Sequence, residues 1–192
     1  EETAATKEQL EWPHAPFVIP NNILNAWRQT GDRGANARRA WNSRIETLSP
    51  GDKSAFETAT NGKLPDGWEN DFQAFVDTVA ANQPKIATRQ ASQNALDTLA
   101  GIIPNLAGGS TDLTGSNLTK AKGMDAVTAE NFAGGYIYYG VREHGMAAAM
   151  NGIALHGGLI PYGGTFLIFT DYARPSIRLA ALMGQRVIFV MT

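Results

Sequence analysis

Apolar residues in the first half of the chain recur at helical spacing, whereas in the second half they gather into short runs punctuated by glycine. Asn21 or Asn22 can cap a helix that places Ile23, Leu24 and Trp27 on one face, and a second helix is expected from about Ala35 to Leu48, with Trp41, Ile45 and Leu48 on its stripe. Ser49-Pro50 supplies a cap and a first-turn proline for a third, short helix. Gly62 to Asn70, containing Pro65, Asp66 and Gly67, predicts a turn-rich connection. Trp12, Trp27, Trp41 and Trp68 are expected to act as core and docking anchors, because aromatic side chains mostly serve burial.

After Pro84 the pattern changes. Thr88 to Leu99 carries Ala91, Ala95 and Leu99 four apart and predicts a helix. Ile102 to Ala107 predicts a strand running out into Gly108-Gly109-Ser110, the place where ligands of α/β folds sit. Tyr136 to Tyr139 predicts a second strand, entering Gly140-Val141-Arg142-Glu143, and Glu143 to Leu155 a helix rich in small residues with Met146, Met150 and Ile153 as its ridge. Ile160 to Thr165 and Val187 to Met191 predict further strands, with a helix at Ile177 to Met183 between them, started afresh by Pro175 at its first turn. Strands alternating with helices imply an α/β fold: a helical N-terminal segment, then part of a doubly wound, mainly parallel sheet. The polar start without Met and the apolar run up to Thr192 read as a piece of something longer.

Composition narrows the chemistry. Sixteen Lys and Arg against eighteen Asp and Glu leave a net charge of −2 over 192 residues, with no basic surplus for nucleic acid or an anionic membrane. The absence of cysteine removes disulfides, thiolate metal sites and cysteine nucleophiles, and is compatible with a reducing, cytoplasmic setting. His14, His144 and His156 have no metal-ligand spacing, so no metal is expected on them. No Walker loop, dinucleotide fingerprint or nucleophile elbow is present.

Three features carry candidate chemistry. Glu143 opens a helix at the end of a strand, as either a carboxylate favoured by the helix dipole or a functional acid. Phe166, Phe169 and Tyr172 stand three apart, so a helix would set them on one face as an aromatic wall or as core packing. Arg89 and Ser116 are the residue types that grip phosphate, and also ordinary surface residues. The Ala107–Asp112 turn can turn backbone N–H groups toward an anion.

Taken in order, four segments resemble the transketolase family: Ile86-Ala87-Thr88-Arg89 with its helix; Gly108-Gly109-Ser110-Thr111-Asp112-Leu113-Thr114-Gly115-Ser116-Asn117-Leu118-Thr119; Tyr139-Gly140-Val141-Arg142-Glu143-His144-Gly145-Met146; and Pro161 to Pro175. The Trp12-Pro13-His14-Ala15-Pro16-Phe17 lead-in agrees as well. The resemblance implies the end of a diphosphate-binding domain and its linker over residues 1–84, and the first half of a pyrimidine-binding domain over 85–192. It implies thiamine diphosphate as cofactor, with magnesium or calcium bound by the part of the family fold not represented here. It implies that Glu143 contacts the aminopyrimidine ring nitrogen, that Phe166, Phe169 and Tyr172 pocket the ring with Asp112 nearby, and that Arg89 and Ser116 bind the sugar phosphate. The family shares its site between the subunits of a homodimer, so this chain alone is expected to be inactive. Dihydroxyacetone synthase, a relative with a different acceptor, and a non-catalytic assembly module are the alternatives; His144 receives no role.

Overall fold

Four parallel strands form a single sheet, and all 192 residues are described in a computed structural model. In chain order the elements are α1 (Glu2–Gln9), α2 (Asn21–Glu46), α3 (Pro50–Thr60), α4 (Trp68–Asn82), α5 (Thr88–Ile102), β1 (Leu106–Ser110), α6 (Thr114–Asn117), β2 (Tyr136–Tyr138), α7 (Glu143–His156), β3 (Ile160–Thr165), α8 (Thr170–Leu182) and β4 (Ile188–Met191). The strand order is β2-β1-β3-β4, so the chain leaves β1 for one edge and crosses back over it through α7. Gly108 lies opposite Tyr136, Ser110 opposite Gly164, and Gly164 opposite Val190. The expected α/β class, helices first and parallel sheet after, is therefore the observed one.

The chain divides into two compact units, Glu1–Lys53 and Ser54–Thr192. The first is helical and contains no buried residue. The two helices expected around residues 21–48 are one continuous helix of 26 residues. Gly31 and Gly34 each cost about 1 kcal/mol against alanine, but without a proline or a cap between them helix propagation carries through. The tryptophan anchors do not materialise: Trp27 is 75% exposed, Trp12 is exposed, and Trp41 and Trp68 are only half-buried. The Ser49-Pro50 start of α3 is as expected: Ser49 Oγ accepts the Asp52 N–H at 3.1 Å and donates to the Asp52 carboxylate at 2.7 Å.

In the second unit, the turn expected over Gly62 to Asn70 gives way at Trp68 to α4, most of which lies where the sequence pattern carried no expectation, and Gln83, left-handed at φ 43°, closes it just before Pro84. A cluster of Leu96, Ile103, Leu106, Ala121, Ile160 and Tyr162 forms the core beneath α5. The β1 strand starts four residues later than predicted, because α5 continues through Ile102 and Pro104 follows it. Gly108 and Gly109 consequently lie inside the strand. Each is required there by close packing: a Cβ on Gly108 would enter the Tyr162 ring, and one on Gly109 would strike the Ile137 carbonyl. β3 is buried along its whole length, as the middle of a covered parallel sheet demands. Over it lies α7, whose Met146, Ala147 and Met150 are fully buried, with the two sulfurs against Gly163.

The last crossover differs most from expectation. Pro175 does not start a helix; α8 begins at Thr170, after a 3₁₀ turn at Leu167–Phe169, and Pro175 is its sixth residue. The 3₁₀ turn takes up the change of direction after β3, so the helix is already under way when the proline is reached.

Candidate functional site

The carboxyl ends of the parallel strands bring Asp112, Glu143 and Phe166 to the same edge of the sheet, where α/β folds bind ligands. Glu143 arrives there through a tight turn. Gly140 adopts φ +67°, which a side chain disfavours, and the space a Cβ would need is filled by the Arg142 guanidinium, which folds back to donate to the Tyr139 carbonyl at 3.0 Å. Glu143 then opens α7, where the helix dipole favours a carboxylate. Its side chain is 7% exposed, and Thr165 Oγ1, at the end of β3, donates to its Oε1 in a long bond of 3.5 Å.

A cleft of about 740 Å³ opens beside it, lined by Val141, Arg142, Glu143, His144, Gly145, Phe169 and Tyr172. The three aromatic residues do form a continuous wall. Ring centroids lie 5.9 Å apart for Phe166 and Phe169 and 6.0 Å for Phe169 and Tyr172, tilted by 34° and 42°. They do not share a helical face, however. Phe166 is extended, Phe169 ends the 3₁₀ turn and Tyr172 stands in α8, so it is the bend in the chain that aligns them. Tyr172 is 66% exposed and Phe169 half-buried, leaving aromatic surface open for stacking.

Arg89 and Ser116, 27 residues apart, meet: the Arg89 guanidinium donates to the Ser116 carbonyl at 3.4 Å, with Arg89 exposed. Asp112 stands just past β1, exposed and in a left-handed conformation at φ 64° that aspartate tolerates. It is not among the residues lining the Glu143 cleft. The glycine-rich segment is no anion cradle, because sheet pairing uses its backbone: Gly108 N–H donates to Gly135 and Thr111 N–H to Gly164. No group of three or more His, Asp or Glu side chains is arranged to hold a metal.

Between these places runs a buried polar layer that sequence reasoning missed. Tyr136 Oη bonds Thr114 and Thr119 at 2.9 Å each, Tyr162 Oη donates to the Thr119 carbonyl at 2.7 Å, and Ser110 Oγ donates to the Gly164 carbonyl. Burial pushes both phenols above their usual range; the two threonine hydroxyls oppose that rise at Tyr136. Thr165 and His144 were also missed as site residues. Thr165 meets Glu143 only through folding, 22 residues along the chain, and no local motif announces the pair.

Comparison with known proteins bears on the family and the fold. Residues 84–192 match the family described as transketolase, pyrimidine binding domain, and residues 1–65 match transketolase, thiamine diphosphate binding domain. The chain is 54% identical over 194 residues to a transketolase of Cereibacter sphaeroides and 50% identical over 192 residues to one of Sinorhizobium medicae, in each case along its full length. It spans 29% and 27% of those relatives' own lengths. Among solved structures, a transketolase from Leishmania mexicana superposes with a TM-score of 0.80 at 36% identity, covering 93% of this chain and 26% of that one. A transketolase from Pichia stipitis in complex with sedoheptulose-7-phosphate gives 0.78 at 32% identity, covering 92% and 27%. With an α/β, thiamine-diphosphate-binding type of fold and a family match over more than half its residues, the chain belongs to the transketolase family.

Proposed function

We propose that the whole protein containing this chain transfers a two-carbon ketol unit from a ketose phosphate to an aldose phosphate with thiamine diphosphate, and that this chain supplies the pyrimidine side of the site. The observation that carries the reading is Glu143: a carboxyl group 7% exposed, at the mouth of an α7 turn, facing a cleft walled by Phe169 and Tyr172. A planar, nitrogen-bearing ring suits such a cleft, because aromatic surface takes its faces and a carboxyl group meets a ring nitrogen edge-on. When bound, thiamine diphosphate supplies the carbon that takes up the two-carbon unit. The task of Glu143 is to share a proton with the aminopyrimidine nitrogen at its carboxyl oxygens, and Thr165 holds one of those oxygens in place. Phe166 backs Phe169 and keeps the wall from rotating away.

Arg89 and Ser116 form the phosphate end of the substrate channel in this reading: an exposed guanidinium, oriented by the Ser116 carbonyl, beside a hydroxyl. Asp112 is assigned to the cofactor's surroundings. Residues 1–84 are read as the end of the diphosphate-binding domain with its linker and 85–192 as the first half of the pyrimidine-binding domain, which the two family matches support. The divalent cation falls to the remainder of the protein, since this chain gathers no ligand set for one. A homodimer with the site between subunits, a cytoplasmic setting and a place in sugar-phosphate interconversion complete the proposal; no helix is long and apolar enough to cross a membrane.

The test is a ketol-transfer assay with cofactor and magnesium. The 192-residue chain alone is expected to show no turnover, and the whole protein to be active. Glu143→Ala in the whole protein is expected to lower kcat by about 10²–10⁴, the usual contribution of a positioned proton-transfer group, with its melting temperature unchanged. Near-normal turnover in that variant would remove Glu143 from the role.

A further inference from the structure

We propose that Ser176 is a positioning residue for the Glu143 cleft: through His144 and Asn151 it locks α8 in register against α7, and so sets the separation between the Glu143 carboxyl and the Phe169–Tyr172 wall. The inference rests on the cleft being the aminopyrimidine site. The acid belongs to α7 and the aromatic wall to α8 and the turn before it, so the width of the cleft is the relative placement of these two helices. They pack against each other more extensively than any other pair of elements. The apolar residues the two helices bury are small or flexible: Ala147 on α7, with Met146 and Met150, whose sulfurs lie against β3, and Ala173 and Ala180 on α8. Such surfaces hold helices together without strongly preferring one register, because dispersion and burial are not directional.

Direction comes from two polar links that converge on Ser176, which is 2% exposed. Its hydroxyl lies 3.1 Å from His144 Nδ1, and its backbone carbonyl accepts from Asn151 Nδ2 at 2.9 Å. His144 directly follows the acid, and Ser176 lies one turn below Tyr172 of the wall. A buried helical serine can satisfy its hydroxyl on its own helix, four residues back; this one reaches the other helix instead. Asn151 is 6% exposed, and its Oδ1 has no partner. A half-satisfied buried amide costs stability, so its place here is accounted for by alignment, the best-attested use of polar groups within an apolar helix interface.

The experiment uses the whole protein and reads thiamine diphosphate affinity by calorimetry, alongside the melting temperature of the cofactor-free protein and the KM for sugar phosphate. Ser176→Ala and His144→Phe each remove the same bond. Each is expected to weaken cofactor binding about tenfold, the scale of a coupled polar pair, with melting temperature and sugar-phosphate KM nearly unchanged. The double variant is expected to bind no more weakly than either single one. His144→Asn, whose amide stands where Nδ1 was, is expected to restore affinity to near wild type. Ser176→Ala binding within twofold of wild type would overturn the inference, and so would losses that add in the double variant or fall equally on melting temperature. If the wild-type protein itself took up no thiamine diphosphate, the functional reading would fail and this inference with it; normal wild-type uptake with an unaffected Ser176→Ala variant would sink the inference alone.

Discussion

Aromatic residues meet opposite fates in the two units. Residues 1–53 hold three of the four tryptophans, yet nothing in them is buried, and Phe17 and Trp27 stand in solvent. In residues 54–192, Tyr136 and Tyr162 are almost wholly buried, with their hydroxyls bonded, and eight polar side chains from Ser110 to Ser176 are buried as well. Apolar content therefore does not by itself make a core. A parallel sheet covered by helices removes both faces of its strands from water, whereas α2, a single long helix, has only a stripe to offer. The candidate site follows the same division: the Glu143 cleft lies wholly in the second unit, at the ends of elements that pack on its buried sheet.

The sharpest way to break this comparison is to hollow out the second unit. Met146→Ala removes a fully buried side chain that fills the space over Gly163, and is expected to destabilise the chain by about 2–5 kcal/mol. Urea unfolding followed by far-UV circular dichroism measures it. A loss below about 1 kcal/mol would mean that the sheet and α7 are not closely packed. Gly108→Ala attacks the same packing from the opposite direction. The new methyl enters the space of the Tyr162 ring, which its bond to the Thr119 carbonyl holds in place, so a cost of about 1–3 kcal/mol is expected. Pairing it with Tyr162→Phe, which frees the ring, is expected to recover part of that loss.

Alkaline pH separates the units without mutation. Buried Tyr162 and Tyr136 keep their protons above the usual phenol range, while the unfolded chain gives them up from about pH 10. Below that pH both states are protonated and stability does not change on this account. Above it the unfolded state holds fewer protons than the native one, so stability falls as pH rises. Hydrogen exchange at the β1 and β3 amides is expected to quicken above about pH 10, ahead of any comparable change in α2, which contains no tyrosine. Exchange rising equally in both units, once corrected for intrinsic rates, would contradict the assignment of the alkaline loss to the buried phenols of the second unit, among which burial also raises Tyr139.

Legibility in the sequence followed the range of the interactions. β3 was predicted over the residues it occupies, and α7 within one residue, because an apolar run bounded by glycines and a strong helix of small residues are local signals. The break expected in α2 was absent because two glycines are too weak a signal when no cap or proline supports them. The start of α8 was misplaced because Pro175, a true first-turn residue elsewhere, is here tolerated inside a helix already begun. At the site, Glu143 and the aromatic trio stand out through local pattern and motif resemblance, whereas the cleft that Glu143 shares with Phe169 and Tyr172 arises through folding alone. Thr165 on Glu143 and Ser176 on His144 are side-chain contacts across 22 and 32 residues, which neither periodicity nor motif spacing encodes.

The smallest expected effect is the one that tests the other half of the comparison. Trp27 would ordinarily be the costliest residue in a helix to remove, since truncating a buried tryptophan loses about 3–5 kcal/mol. In this chain it is 75% exposed, four residues from Ile23, which is itself exposed at 37%. Truncation then removes little buried area and leaves no cavity, and alanine favours the helix more than tryptophan does. Trp27→Ala is accordingly expected to change the unfolding free energy of the chain by less than about 0.5 kcal/mol, as measured by urea unfolding at 222 nm, a wavelength that does not depend on the lost fluorophore. A loss of about 2 kcal/mol or more would show that α2 is held by packing that its exposure does not reveal, and the contrast between a unit with a core and a unit without one would fall.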